Sequence, residues 1–306
     1  MENPPPYFTP AKDRRGQIIA LVCIALLGLC LVWTMMANLR QNLQSPQMRS
    51  ALSALNAKSP AEAQPLFESA LRADPTNPAL YAEILDACRK NGYWDLMVRF
   101  GERAIWDCRE SPEGVRAGLY GKLVQGYTNA KGKDWKRLSR DSARRAYEIE
   151  PLNPSNQNLL GYTLVDTFDS KDKAHSNSKD LEQAQSLIAQ AMNFVRTNSP
   201  LKGEDPNLAM IEDSYAWLMI KRERYAEAAN LLDDIVTRVD PTEFGDEMKD
   251  LYYHLGVAYS RMGRGSEGDA RQALTKALAY DPDFTAAKME LYRLPGTSQP
   301  VSPKKN

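Results

Sequence analysis

The chain has 306 residues, 43% of them hydrophobic and 25% charged, enough apolar material for a sizeable core under an ordinary folded-protein surface. Lysine plus arginine and aspartate plus glutamate number 39 each, so the whole-molecule field favours neither a nucleic-acid coat nor an acidic partner. Two histidines and four cysteines leave little material for a metal site, and no cofactor is expected.

Residues 1–17 are proline-rich and then basic, and are predicted to be a disordered tail. Residues 18–37 carry no charge, and about 20 residues at 1.5 Å each span about 30 Å, the hydrocarbon thickness of a bilayer. The prediction is one transmembrane helix, with Trp33 suited to the far interface. Its apolar core is longer than the roughly 7–15 residues of a signal peptide, and no small-x-small site occurs near Ala37. Leu29 stands before Cys30 where lipoprotein cleavage needs a small residue, and Gln17 follows Arg14-Arg15 where a twin-arginine signal wants an apolar one. An uncleaved anchor is therefore expected. Lys12, Arg14 and Arg15 precede the span against Arg40 and Arg49 after it, which places the N-terminus in the cytoplasm and the remainder outside.

From residue 45 to 294 the chain reads as paired helices, with residues 38–55 continuing as the first. Its partner carries Ala63, Phe67, Ala70 and Leu71 and stops at Asp74-Pro75. The second pair has Tyr81, Ile84, Leu85 and Cys88, a turn at Asn91-Gly92, then Met97, Phe100 and Ala104. The third has Tyr120, Leu123, Val124 and Tyr127, then Ala143 and Ala146. The fourth opens at Asn153-Pro154, shows Leu160-Gly161 and Leu164, and resumes at Ala184, Ile188 and Ala191 after a polar insertion, residues 169–180. The fifth has Tyr215-Ala216 and Met219, then Tyr225, Ala228 and Leu232. In the sixth, Tyr252, Leu255, Gly256 and Tyr259 share one helix face and Ala270, Leu274, Ala277 and Leu278 another, separated by three glycines. Gly256 and Ala277 let the two helices close to roughly 8–10 Å. A last helix with Ala286, Ala287, Met289 and Leu291 is expected to cap the array, and residues 295–306 to be a disordered tail.

The sixth pair, Tyr252-x2-Leu255-Gly256-x2-Tyr259, then Ala270-x3-Leu274, then Pro282, resembles the tetratricopeptide repeat, a helix–turn–helix of about 34 residues. Tyr81, Leu160-Gly161 and Ala228-x3-Leu232 repeat parts of that pattern, so the resemblance covers residues 45–294. It implies an all-α solenoid of about six helical hairpins in a right-handed superhelix, behind one N-terminal membrane helix. In that family the groove-facing positions of each first helix bind extended peptides or partner helices. Carried onto this chain, they are Asp86, Arg89 and Lys90, then Lys122, Gln125 and Asn129, then Asn158 and Tyr162, then Asp213, Trp217 and Tyr253. Trp217 and Tyr162 are rigid anchors of the kind that dominate interfaces; the alternative is that they fill gaps between helices. The lysine and asparagine set with which some members clamp a terminal carboxylate is not reproduced.

His254 beside the Leu255-Gly256 site reads as an ordinary polar histidine, because no second ligand recurs at metal spacing. A bridge between Cys88 and Cys108 is disfavoured, since the two should sit at opposite ends of a hairpin. No nucleophile–base pair or phosphate loop is evident, so no enzyme is expected. The third pair is basic from Lys131 to Arg145 and the fifth–sixth junction acidic from Asp233 to Asp250, both read as solvated or protein-docking surface rather than a nucleic-acid site. The expected function is a membrane-anchored, non-catalytic scaffold that binds a peptide or partner protein. The alternative is a constitutive regulatory or assembly subunit of a membrane enzyme or envelope complex.

Overall fold

The computed structural model describes residues 45–169, 178–201 and 205–296, and every regular element among them is helical. The predicted span at 18–37, both predicted tails and His175 lie outside the described residues. No helix among the described residues is long and apolar enough to cross a membrane.

The chain divides into two compact bodies at Pro75. In the first, α1 (Pro46–Asn56) and α2 (Pro60–Ala73) pack as a hairpin, burying Met48, Ala51 and Leu55 of one and Ala63, Phe67, Ala70 and Leu71 of the other. Of the helix expected over residues 38–55, residues 38–44 lie outside the described residues, and α1 begins at Pro46. Ser45 is extended, and its hydroxyl accepts from the Met48 amide at 3.2 Å. A proline at the first helical turn with a capping side chain before it satisfies an amide that the helix cannot.

The second body holds five further hairpins and a final helix. They are α3 (Pro78–Lys90) with α4 (Trp94–Asp107), α5 (Glu113–Ala130) with α6 (Trp135–Ile149), and α7 (Pro154–Asp166) with α8 (Ser178–Asn198). Next come α9 (Pro206–Lys221) with α10 (Tyr225–Arg238), a short α11 (Pro241–Phe244), α12 (Met248–Met262) with α13 (Glu267–Tyr280), and α14 (Thr285–Arg293). The same device punctuates α3, α7, α9 and α11. Asn77, Asn153, Asp205 and Asp240 each stand before a proline and accept an amide of the first turn at 3.0, 2.9, 2.8 and 2.7 Å. Pro75 and Pro151 end the preceding helices two residues earlier, so one short Pro-x-Asn-Pro stretch stops one helix and starts the next.

Within hairpins, small residues set the approach. A Cβ on Gly256 would lie 2.6 Å from Leu274 Cγ and 3.2 Å from the Leu274 amide nitrogen. One on Gly161 would lie 2.7 Å from Ile188 Cγ1 and 3.3 Å from the Ala184 carbonyl oxygen. In both cases a backbone atom of the partner helix stands in the way, so the seam cannot open by rotating one side chain. Ala184, Ala228 and Ala277, on the second helices, are fully buried. Between hairpins, tyrosines of the signature pattern reach back: Tyr127 donates to Glu102 at 2.7 Å, and Tyr259 donates to Asp233. Burial first, and then the accepting carboxylate, raise both phenols well above their ordinary range.

The acidic junction, the cap and the two buried cysteines each take a definite form, and the cap departs from expectation. The acidic junction before α12 is folded, as α11 and the 3₁₀ turn Gly245–Glu247, with Phe244 buried. The capping helix α14 does not bury Met289, which is 53% exposed; it buries Ala287 and Glu290. Glu290 accepts from Ser260 at 2.8 Å, from Arg261, and from Arg293 at 2.9 Å, so an ion-pair network joins α14 to α12 where an apolar stripe was expected. Cys88 and Cys108 are both buried and form no bridge with each other. The Cys108 thiol donates to the Thr76 carbonyl oxygen at 3.6 Å, and burial pushes the Cys88 thiol up to about 12, which leaves it inert.

Candidate functional site

The first helices form one layer of the second body: α3 packs on α5, α5 on α7, α7 on α9, α9 on α12 and α12 on α14. The second helices lie behind them. The eleven predicted partner-binding residues all lie on these first helices, as a row across α3, α5, α7, α9 and α12.

Along this row the residues separate into two groups. On α3 and α5 they are at the surface and engage one another: Lys122 pairs with Asp86, and Asn129 donates to the Gln125 carbonyl oxygen at 2.8 Å. Lys90 is exposed, and Arg89 lies 3.6 Å from Asp246, tying the end of α3 to the turn before α12. Asn158 on α7 is half-buried, and its Oδ1 is buried with no donor among the described residues.

The second group is brought together by α7, α9 and α12. His254 is buried, with Nδ1 2.8 and 3.0 Å from the two carboxylate oxygens of Asp213. Trp217 lies against the imidazole at 4.3 Å between ring centres and 19° between planes. Tyr253 and Tyr162 close the other sides at 5.7 and 6.1 Å. Lys221 places its ammonium 4.9 Å from the centre of the Trp217 ring, a cation–π contact. Trp217 is only 6% exposed, so it fills space between helices; yet its indole Nε1 is buried with no acceptor among the described residues. An unpaired buried N–H of this kind costs about 1–3 kcal/mol.

Burial pulls the His254 imidazolium down, but Asp213, then Asp250 and Asp166, outweigh it and hold the group above its ordinary value. Burial pushes Asp250 up to about 7 against the opposing pull of His254 and Lys249, with Glu247 and Asp213 adding to the rise. Burial also lowers Lys221, and it pushes Tyr253 up to about 12. The arrangement can hold a proton and present donors; among the described residues no three His, Cys, Asp or Glu side chains converge as a metal site.

Four of the predicted residues therefore meet in space: Tyr162, Asp213, Trp217 and Tyr253. Sequence reasoning missed His254, Asp250, Asp166 and Lys221. A signal existed for each, because Asp213, Trp217 and Lys221 recur four apart, as do Tyr162 and Asp166, and Asp250 and His254. That spacing fixes three stripes, one per helix. It does not say that the stripes face one another.

No family model and no curated protein matches the chain. Solved structures do. The Cut9–Hcn1 hetero-tetramer of the APC/C aligns at 15% identity and TM-score 0.50, over 81% of this chain and 42% of that one. Human IFIT1, solved as a dimer with m7Gppp-AAAA, aligns at 16% identity and TM-score 0.51, over 85% of this chain and 58% of that one. YrrB, described as a TPR protein with an unusual peptide-binding site, aligns at 15% identity and TM-score 0.37 over 73% of this chain and 96% of that one. The chain thus spans about half the length of the two larger structures. Hairpin order, residue spacing and the two larger alignments agree on the fold: both bodies are built of helical hairpins of the tetratricopeptide type.

Proposed function

We propose that this protein is a membrane-anchored, non-catalytic scaffold whose row of first helices engages an extended segment or helix of a partner protein. Residues 18–37 serve as the anchor, with the N-terminus in the cytoplasm and the array on the other side. The single observation that carries the binding assignment is Trp217: a buried indole N–H without an acceptor among the described residues, set among Tyr162, Tyr253 and His254 on the shared face of α7, α9 and α12. A partner's carbonyl or carboxylate supplies the missing acceptor once the side chains around Trp217 shift to expose that N–H. The exposed part of the row on α3 and α5 adds polar contacts to the same segment. Anchoring raises the local concentration of the array at the membrane, so modest affinity suffices.

Nucleic acid is not the proposed partner. In the basic stretch on α6, Arg137 pairs with Asp141 at 3.1 Å, Arg145 with Glu148 at 2.8 Å, Lys136 with Asp169 at 3.5 Å and Arg140 with Asp180 at 3.0 Å. Those charges are engaged within the protein.

The test is photo-crosslinking in intact cells, with a benzophenone amino acid placed in the full chain at Asp86, Gln125 or Asn129 on the row, or at Glu182 or Gln190 on α8 as controls. A discrete adduct from the row positions and none from α8 is expected, weakened by Trp217→Phe. Adducts from α8 alone contradict the assignment. A second reading, a constitutive subunit of a membrane complex, is favoured by the large apolar side chains exposed away from the row, Trp106, Leu152 and Phe194. It predicts a stoichiometric companion through purification in mild detergent and crosslinks at those three positions.

A further inference from the structure

A cavity of about 360 Å³ opens between α4, α5 and α6, lined by residues of both second helices and of α5 but by none of the eleven row residues. Three of its lining residues are cations: Arg109 just after α4, Arg116 on α5 and Arg145 on α6. One carboxylate, Glu148, lines it too, and it is held by Arg145 at 2.8 Å. Arg109 lies over the exposed Trp106 ring at 5.1 Å and donates to the Trp106 carbonyl oxygen at 3.1 Å. Arg116 is different. Its Nε is buried and has no acceptor among the described residues. Ile105, Leu119, Ile149 and the ring of Tyr120 make the remaining wall largely apolar.

A guanidinium is never deprotonated in a protein; Arg116 is half-exposed with its Nε buried, and an oxyanion that reaches the group gains a charge-assisted hydrogen bond. The cavity lies at the small end of the range for ligand pockets, about 300–1,000 Å³, and its wall is about as polar as it is apolar. We infer that this cavity binds a small organic molecule carrying an oxyanion, phosphate or carboxylate, on an apolar body, with Arg116 as the principal contact. Arg145 and Arg109 add charge, and the apolar part of the wall accepts the body of the ligand. Because the three helices belong to two successive hairpins, occupancy also clamps those hairpins together.

The test is isothermal titration of the full chain in mild non-ionic detergent with phenyl phosphate, benzoate and the neutral control benzyl alcohol. Saturable binding of at least one anion is expected, none of benzyl alcohol, and a loss of at least tenfold in affinity in Arg116→Gln. Stronger binding of phenyl phosphate assigns a phosphate ligand; stronger binding of benzoate assigns a carboxylate. Trp217→Phe leaves this affinity unchanged, which separates the outcome from that of the row. Should Arg116→Gln fail to fold, Arg109→Gln on the exposed rim is read in the same way. No binding of either anion, or affinity that survives both arginine substitutions, overturns the inference.

Discussion

The seam between α12 and α13 and the cluster around His254 share a helix but are held by different physics. At the seam, Gly256 lies against Leu274 so closely that a single carbon cannot be added. On an adjacent face of α12, His254 is fixed by a charge from α9, a ring from α9 and a ring from α7. The seam is local, joins neighbours in sequence and depends on side-chain size. The cluster joins three hairpins and depends on where protons sit. A solenoid needs both, because size complementarity closes each hairpin but does not by itself select which face the next one presents.

The sharpest way to break the cluster and spare the seam is Asp213→Ala. It leaves a buried histidine without its counter-charge, and removing one partner of a buried pair costs about 3 kcal/mol. Urea unfolding should show that loss; a change smaller than in a surface carboxylate variant such as Glu182→Gln means the pair does not hold the fold. The converse is Gly256→Val, which overpacks the seam at a cost of about 2 kcal/mol. Gly161→Val should behave alike, since Ile188 and the Ala184 carbonyl oxygen flank it in the same way. Equal melting temperatures for wild type and both valine variants contradict the close approach.

The pH dependence sharpens the contrast. His254 holds its proton more tightly folded than unfolded, so its stabilisation is full below the ordinary histidine value and is lost as pH rises through the raised one. Asp250 titrates at about 7 when folded, so its ionisation opposes folding increasingly from about pH 4 up to about pH 7. Both signs agree: the folded state binds more protons, and stability falls by about 1 kcal/mol or more between pH 5.5 and 8. Melting temperature should decline across that window in wild type and in Gly256→Val, and less in Asp213→Asn. The smallest effect expected is a gain. Gly118 lies within α5, and a Cβ added there would meet no atom within 4 Å, so Gly118→Ala should stabilise by about 0.5–1 kcal/mol.

The same division explains what could be read in advance. The hairpins were legible because Leu160-Gly161, Leu255-Gly256 and Ala228 carry the pairing in residue size at fixed spacing, and Asn153-Pro154 marks a start. The folded junction at residues 241–247 was not, because the buried Phe244 is a single apolar residue with no period. Met289 was misplaced for a related reason. An apolar residue on a terminal helix looks like a cap, but the burial of Glu290 is dictated by Arg261, almost thirty residues away. Of the eleven predicted row residues, Tyr162, Asp213, Trp217 and Tyr253 meet because their helices pack through a shared face, and His254 was passed over because its partner lies on another hairpin. Periodicity reports which way a side chain points along its own helix. It carries no information about the stripe opposite.

The most direct test of the cluster is the proton on His254. The chain holds two histidines, so histidine-selective carbon-13 labelling of a His175→Gln variant leaves one ring to follow by NMR. The ion pair predicts a titration midpoint above the ordinary histidine value, lowered on Asp213→Asn. A midpoint at or below that ordinary value, unmoved by Asp213→Asn, contradicts the ion pair at the centre of the cluster.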